Sequence, residues 1–300
     1  MQTLKPVSEL VSSSWNIYKN DFKKLTRILA WYLIFTAGFI ILSIVKLKFK
    51  VSSVTEILLS LALIVSNFIC IPALLEYISS GQKISVSQTF KQSKPKIWPF
   101  VWTGFLSGLI ALGGFSLLII PGIYLSVCFS FSQYLVISEK KSGVQALWES
   151  TKLIKNQWFA VFLRIAVYTL GIWALVSIVG WLDKATNTQG YLANIMTFVI
   201  SFFSPLFMLY FYQIYKNLRS INKSENIKVP AKIKVWYTSL AIIGTVAIVV
   251  LVVVSKILTS NTIVNKNTLS GDEIQNQYKQ YLNSVIAEQA LKTTTPLSTD

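Results

Sequence analysis

Apolar side chains arrive in long blocks along this chain, separated by short polar and basic stretches. The blocks cover about residues 28–45, 54–78, 97–119, 122–138, 158–182, 191–215 and 235–257. Most of them reach the ~18 to 20 residues that a bilayer-crossing helix needs. They are continuously apolar, where the strands of a membrane barrel would alternate. In hydrocarbon every backbone N–H and C=O needs a partner within its own segment, so the blocks predict helices. The pattern predicts an all-α integral membrane protein: a six-helix bundle over 1–216, a basic cytoplasmic linker over 217–234, a seventh transmembrane helix over 235–257 and a polar tail over 258–300.

Three of the polar stretches share a pattern ahead of an apolar pair. "VSSSWNIYKNDF" starts at Val11, "FKQSKPKIWPF" at Phe90 and "LWESTKLIKNQWF" at Leu147. Ser14, Ser93 and Ser150 take the same place, Lys19-Asn20 matches Lys155-Asn156, and Phe22 matches Trp158. This predicts three repeats of an amphipathic helix followed by a two-span hairpin, the middle helix cut short by Pro95. Each amphipathic helix is expected to lie in the membrane interface with its lysines outward, and the next aromatic to anchor the chain where it enters lipid. Lys19, Lys152, Lys155 and Trp158 are the residues expected to touch lipid head groups.

The 42 residues from Ile97 to Ser138 hold no charged side chain. As one helix they would reach about 63 Å, twice a ~30 Å hydrocarbon core, so the segment must fold back. Within "LLIIPGIYLS", Pro121 disfavours helix at Ile120 and Gly122 tolerates turn backbone, which makes Pro121 and Gly122 the expected hairpin turn. A re-entrant loop from Gly113 to Gly122 is the alternative. In the tail, Ser270 and Glu273 have capping-box spacing, and Ile274, Tyr278, Tyr281, Leu282 and Val285 form an apolar stripe, predicting one short amphipathic helix.

Charge adds orientation. Nineteen of the 28 Lys and Arg residues fall in 1–27, 79–96, 139–157 and 216–234, and eight on the opposite side of the spans. That asymmetry places the N-terminus in the cytoplasm and the tail outside. Lys46, Lys48 and Lys50 run against the trend and read as an interfacial strip. The first apolar block begins near Ile28 behind mostly polar residues, so the first span is expected to act as its own signal anchor. The net charge of +16 is spread between the apolar blocks and not gathered into one basic, aromatic-rich domain, so nucleic acid is not an expected partner.

Candidate chemistry is sparse. The chain has no histidine and two cysteines, Cys70 and Cys128, both inside apolar runs. A neutral metal ligand, a near-neutral general base and a redox or zinc motif are therefore not legible. Paired glycines at 113–114 and the Pro121-Gly122 step lack the basic residue a phosphate cradle requires. No catalytic residue, cofactor or metal is expected. Two ionisable groups lie within spans, Glu76 and Arg164. Arg164 is six residues beyond Trp158, about 9 Å into its helix. It is positioned either to snorkel to lipid phosphate, to form an intramembrane ion pair with Glu76, or to serve a transport site.

"PGIYLSVCFSFSQYLVISEKKSGVQALWESTKLIKNQW", residues 121–158, resembles a pattern in the membrane domain of glycerophosphoryl diester phosphodiesterases and in YciC-like bacterial inner-membrane proteins. Pro121, Gly122, Tyr124, the turn at 139–143, Ala146, Leu147, Ser150, Lys155 and Trp158 carry it. The resemblance implies a six-helix membrane module and no phosphodiesterase chemistry, which belongs to a separate soluble barrel. The expected role is thus that of a non-enzymatic protein of a bacterial cytoplasmic membrane, acting through contacts with membrane lipids, a membrane-protein partner or a second copy. A transporter or permease for a small or amphiphilic solute is the alternative.

Overall fold

A computed structural model describes residues 4–46, 52–186, 191–222, 228–267 and 271–293. Among them the fold is entirely helical: α1 (Val7–Ile28), α2 (Ala30–Lys46), α3 (Ser53–Ser79), α4 (Val86–Ser93), α5 (Ile97–Leu117), α6 (Ile119–Phe129), α7 (Ser132–Glu139), α8 (Gly143–Ile154), α9 (Trp158–Ala185), α10 (Tyr191–Ile221), α11 (Ala231–Asn267) and α12 (Gly271–Thr293). Six stretches are long and apolar enough to cross a membrane, and a seventh arises if α1 and α2, bent by 70° at Leu29, are taken together. The expected first span is α2, which at 17 residues falls just short alone.

Two compact units divide the chain, Met1–Thr245 and Val246–Asp300. In the first, the amphipathic helices α1, α4 and α8 stand ahead of apolar helices in chain order. Ser14, Ser93 and Ser150 are all buried. The interfacial placement expected for α1 needs correction. Lys5 N donates to Asn217 Oδ1 at 3.1 Å, Gln213 Nε2 to Ser13 Oγ at 3.4 Å and Tyr18 OH to the Phe202 carbonyl at 3.2 Å. These partners descend α10 as α1 ascends, so α1 lies antiparallel along a spanning helix, with Leu10, Tyr18, Leu25 and Ile28 buried against its neighbours.

The hairpin turn also shifts. Leu118 alone leaves the helix, at φ −163° and ψ 154°, while Pro121 and Gly122 sit inside the first turn of α6. Proline suits a helix start because its missing N–H has no intrahelical acceptor there. Gly122 has a different task from the one expected. A Cβ on it would stand 2.4 Å from the Phe115 ring, and one on Gly114 would stand 3.1 Å from the Gly122 Cα. The two glycines let α5 and α6 close on a one-residue corner. Helix persists through Leu117 and resumes at Ile119, so the re-entrant alternative is not seen.

The linker is shorter than its expected 217–234, since α10 runs to Ile221 and α11 begins at Ala231. The tail helix appears as α12, with Tyr278, Tyr281, Leu282 and Val285 exposed. Ser270 of its expected capping box, and Lys48 and Lys50, lie outside the described residues.

Glycine also sets the crossing of α11 over α5. A Cβ on Gly113 would lie 2.0 Å from the Leu240 carbonyl oxygen, and one on Gly244 2.0 Å from that of Leu109. Small residues permit this close approach of two membrane helices. Gly244→Val is expected to cost about 1–3 kcal/mol of stability by overpacking, whereas Gly171→Val, with open space around it, is expected to be near neutral. Thermal unfolding in detergent checks this; equal losses would place the backbones further apart.

Candidate functional site

At the end of the bundle where α9 begins, three elements leave a groove between them. One wall is α1 with Val7, Val11, Ser14 and Trp15, the second α9 with Leu163, Arg164, Val167 and Tyr168, the third α10 with Leu206, Phe207 and Tyr210. The cavity measures about 470 Å³, within the usual ~300–1,000 Å³ of ligand sites. Its outer rim of Val7, Val11, Leu163 and Val167 is exposed, so the groove opens sideways along spanning helices. From Val7 to Trp15 it runs about 12 Å at 1.5 Å per residue, close to one leaflet's share of a ~30 Å core.

Arg164 is its one charged lining residue. Nη1 donates to the Ala160 carbonyl at 2.8 Å and Nη2 to that of Lys5 at 3.0 Å, while the buried Nε has no partner. No carboxylate among the described residues pairs with it. The expected Glu76–Arg164 pair is therefore corrected. Glu76 accepts from Lys96 Nζ at 2.5 Å, and Lys96 also donates to the Ile137 carbonyl at 2.8 Å. The 3-10 turn Lys94–Lys96, with Pro95 inside it, carries Lys96 under the end of α3. The pair thus ties the end of the first hairpin to α5 and α7, and the third hairpin takes no part.

The expected lipid-contact residues divide. Lys19 lies 5.7 Å over the Trp15 ring and Lys152 5.2 Å over Trp148, and both, like Lys155, are exposed. Trp158 instead packs inward, stacked 5.2 Å from Phe162 and 5.5 Å from Tyr124, while its neighbour Phe159 is 64% exposed and takes the outward position. Adjacent residues of a helix point about 100° apart, and core space at Tyr124 claims the larger of the two aromatics.

Sequence reasoning missed a second polar assembly. Glu139 and Glu149 share Lys141 and Arg219: Lys141 reaches both carboxylates, 3.2 Å from Glu139, and Arg219 pairs with Glu139 and lies 3.7 Å from Glu149. Tyr215 OH donates to Glu139 at 2.7 Å. Two cations balance two carboxylates, which locks α7, α8 and α10 together. Glu149 falls three residues after Ala146 and four before Leu153, on the buried side of α8, and that helical spacing was the available signal.

With this geometry established, comparison places the chain. The model of an uncharacterised protein family, UPF0259, matches residues 43–217, more than half the sequence. The chain belongs to the UPF0259 family. A UPF0259 membrane protein of Pectobacterium carotovorum is 26% identical over 147 residues, 49% of this chain and 58% of that relative. Another from Serratia proteamaculans is 23% identical over 179 residues, 59% of this chain and 68% of the relative. The chain thus spans little more than half the length of the first relative. No solved structure matches. The matched stretch holds Glu76, Lys96, Arg164 and all of the groove's α9 and α10 lining residues; α1 precedes it. This UPF0259 chain is a multi-pass membrane protein by its relatives and its apolar helices.

Lys96→Met leaves Glu76 buried without its cation, an expected cost of about 3–5 kcal/mol. Adding Glu76→Gln should recover most of it. Arg164→Ala combined with Glu76→Ala should show additive losses in melting temperature, since the two do not meet. Non-additivity in that double variant would restore the pair.

Proposed function

We propose that this protein is a non-enzymatic module of a bacterial cytoplasmic membrane, with its N-terminus inside and its C-terminal tail outside, that works by holding membrane lipid. The groove of α1, α9 and α10 carries the proposal. An apolar channel open sideways from spanning helices is filled in a bilayer by whatever hydrocarbon surrounds it, and this one matches a single chain in length. The absence of histidine and the commitment of Glu76 to Lys96 support a role without chemistry. Sequence likeness of residues 121–158 to phosphodiesterase membrane domains and YciC-like proteins belongs to the same proposal, as does assembly with a membrane-protein partner or a second copy.

The second reading, a transporter for an amphiphilic solute, draws on one observation. A further cavity of about 540 Å³, with Ser126, Ser130 and Ser204 in its walls, lies beyond the groove. Tyr168 and Phe207, with ring centroids 4.6 Å apart, line both spaces and divide them.

Lipids bearing a photoreactive diazirine on the acyl chain, mixed into vesicles of phosphatidylethanolamine and phosphatidylglycerol with the whole protein, test the first reading. Labelling should concentrate on Val11, Trp15, Val167 and Phe207 and fall when Val11→Trp fills the groove. Labelling spread evenly over Trp173, Ile178 and the other exposed apolar positions would contradict it, and added label at Ser126 and Ser204 would favour the transporter.

A further inference from the structure

The groove adjoins a small polar cavity at Lys5. Lys5 is the residue on which this junction is built. Its carbonyl accepts from Arg164 Nη2 on α9, its backbone N–H donates to Asn217 Oδ1 on α10, and its side chain pairs with Glu9 at 2.5 Å. Beside this junction lies a small cavity of about 230 Å³ whose walls include Ser13, Gln213, Lys216 and Ser220. Hydrocarbon on one side and hydrogen-bonding groups on the other meet at Arg164.

Charge at this junction is unbalanced. Among the residues lining the groove and the small cavity, Lys5, Arg164 and Lys216 are the cations and Glu9 is the one carboxylate, which Lys5 takes. Arg164 has five N–H donors in a planar fork, of which only two meet the backbone carbonyls above. The buried Nε is unpartnered, and the side chain is part of the groove's lining. An unpaired guanidinium at the edge of hydrocarbon is costly unless an anion meets it. Phosphate fits best, because the guanidinium fork matches two of its oxygens and a charge-assisted pair of this kind is among the stronger hydrogen bonds.

We propose that Arg164 binds the phosphate of an anionic glycerophospholipid whose acyl chain lies in the α1, α9 and α10 groove, with Lys216 of the neighbouring cavity adding attraction for the head group. This deepens the lipid-holding reading and rests on it. The apolar groove accounts for the chain; the unpaired cations account for the head group, and their excess over carboxylate favours an anionic lipid over a zwitterionic one. Lys216 is exposed and has no ion pair among the described residues, so it adds attraction without a fixed geometry, whereas Arg164 is held in place by two carbonyls.

Native mass spectrometry of the whole protein in detergent, with phosphatidylglycerol, phosphatidylcholine or diacylglycerol of identical chains added, tests it. Phosphatidylglycerol should bind about tenfold more tightly than diacylglycerol, the worth of one charge-assisted hydrogen bond, with phosphatidylcholine between them. Arg164→Gln should abolish the preference for phosphate, and Lys216→Gln, at an exposed position where folding is not at stake, should narrow the gap between phosphatidylglycerol and phosphatidylcholine. Equal binding of phosphatidylglycerol and diacylglycerol, or preferences unchanged in both variants, would overturn the proposal. Displacement of phosphatidylglycerol by an equal concentration of glycerol phosphate would also overturn it, by assigning recognition to free phosphate. Acyl-chain labelling of the groove in an unmodified protein that shows no head-group preference leaves the lipid-holding reading intact and rejects only this one.

Discussion

In hydrocarbon a backbone group that leaves its helix has no water to turn to, and a charge has no solvent to screen it. The structure answers several such breaks with a specific partner. Between α6 and α7 the helix is interrupted, and Ser150 of α8 closes the gap: its Oγ donates to the Cys128 carbonyl at 2.6 Å and accepts from the Phe131 N–H at 3.3 Å. The start of α8 is fixed in the same way, with Gly143 N donating to Thr103 Oγ1 at 2.8 Å on α5. An amphipathic helix that looked like a surface element thus serves as the internal hydrogen-bond partner of a broken span. Glu76 and Lys96 apply the same rule to charge, and the two pairs around Glu139 and Glu149 apply it again where α7 ends.

The docking of α1 follows from a different balance. Its buried side, Leu10, Ser14, Tyr18, Leu25 and Ile28, is matched by α10 and α3, and aromatic contacts of Tyr18 and Phe22 with Phe202 and Phe203 extend the seam. Because α1 meets α10 along its length but α9 only near Lys5, a wedge remains between the three. That wedge is the groove, and Arg164 stands in it because the seventh residue of a helix beginning at Trp158 turns toward the seam. The site is a product of helix packing, with no loop contributing to it.

The spans were legible because continuous apolar runs leave few alternatives, and α3, α5, α9 and α10 begin or end within a few residues of where the pattern puts them. What was not legible depended on azimuth and on neighbours. Depth alone made Glu76 and Arg164 plausible partners, but depth says nothing about which side of a helix faces which, and Lys96, read as a topology-setting lysine, was closer. Proline at 121 was legible as an interruption, yet proline is equally at home in the first turn of a helix, so the corner fell three residues earlier at Leu118. Trp158 illustrates the same limit: an aromatic at a membrane entry is anchor or core according to the shape behind it. Whether α1 floats on the membrane or packs against a span could not be told from its amphipathic pattern, which suits both.

The placement of α1 underlies the groove, the lipid reading and the head-group assignment alike. Its most direct measurement is disulfide formation between Ser13→Cys and Gln213→Cys under mild oxidation in native membranes, with the buried Cys70 and Cys128 left in place. A docked α1 forms that bond rapidly in the whole protein before detergent is added. An α1 lying free in the interface would leave the two thiols unjoined, and the groove would not exist.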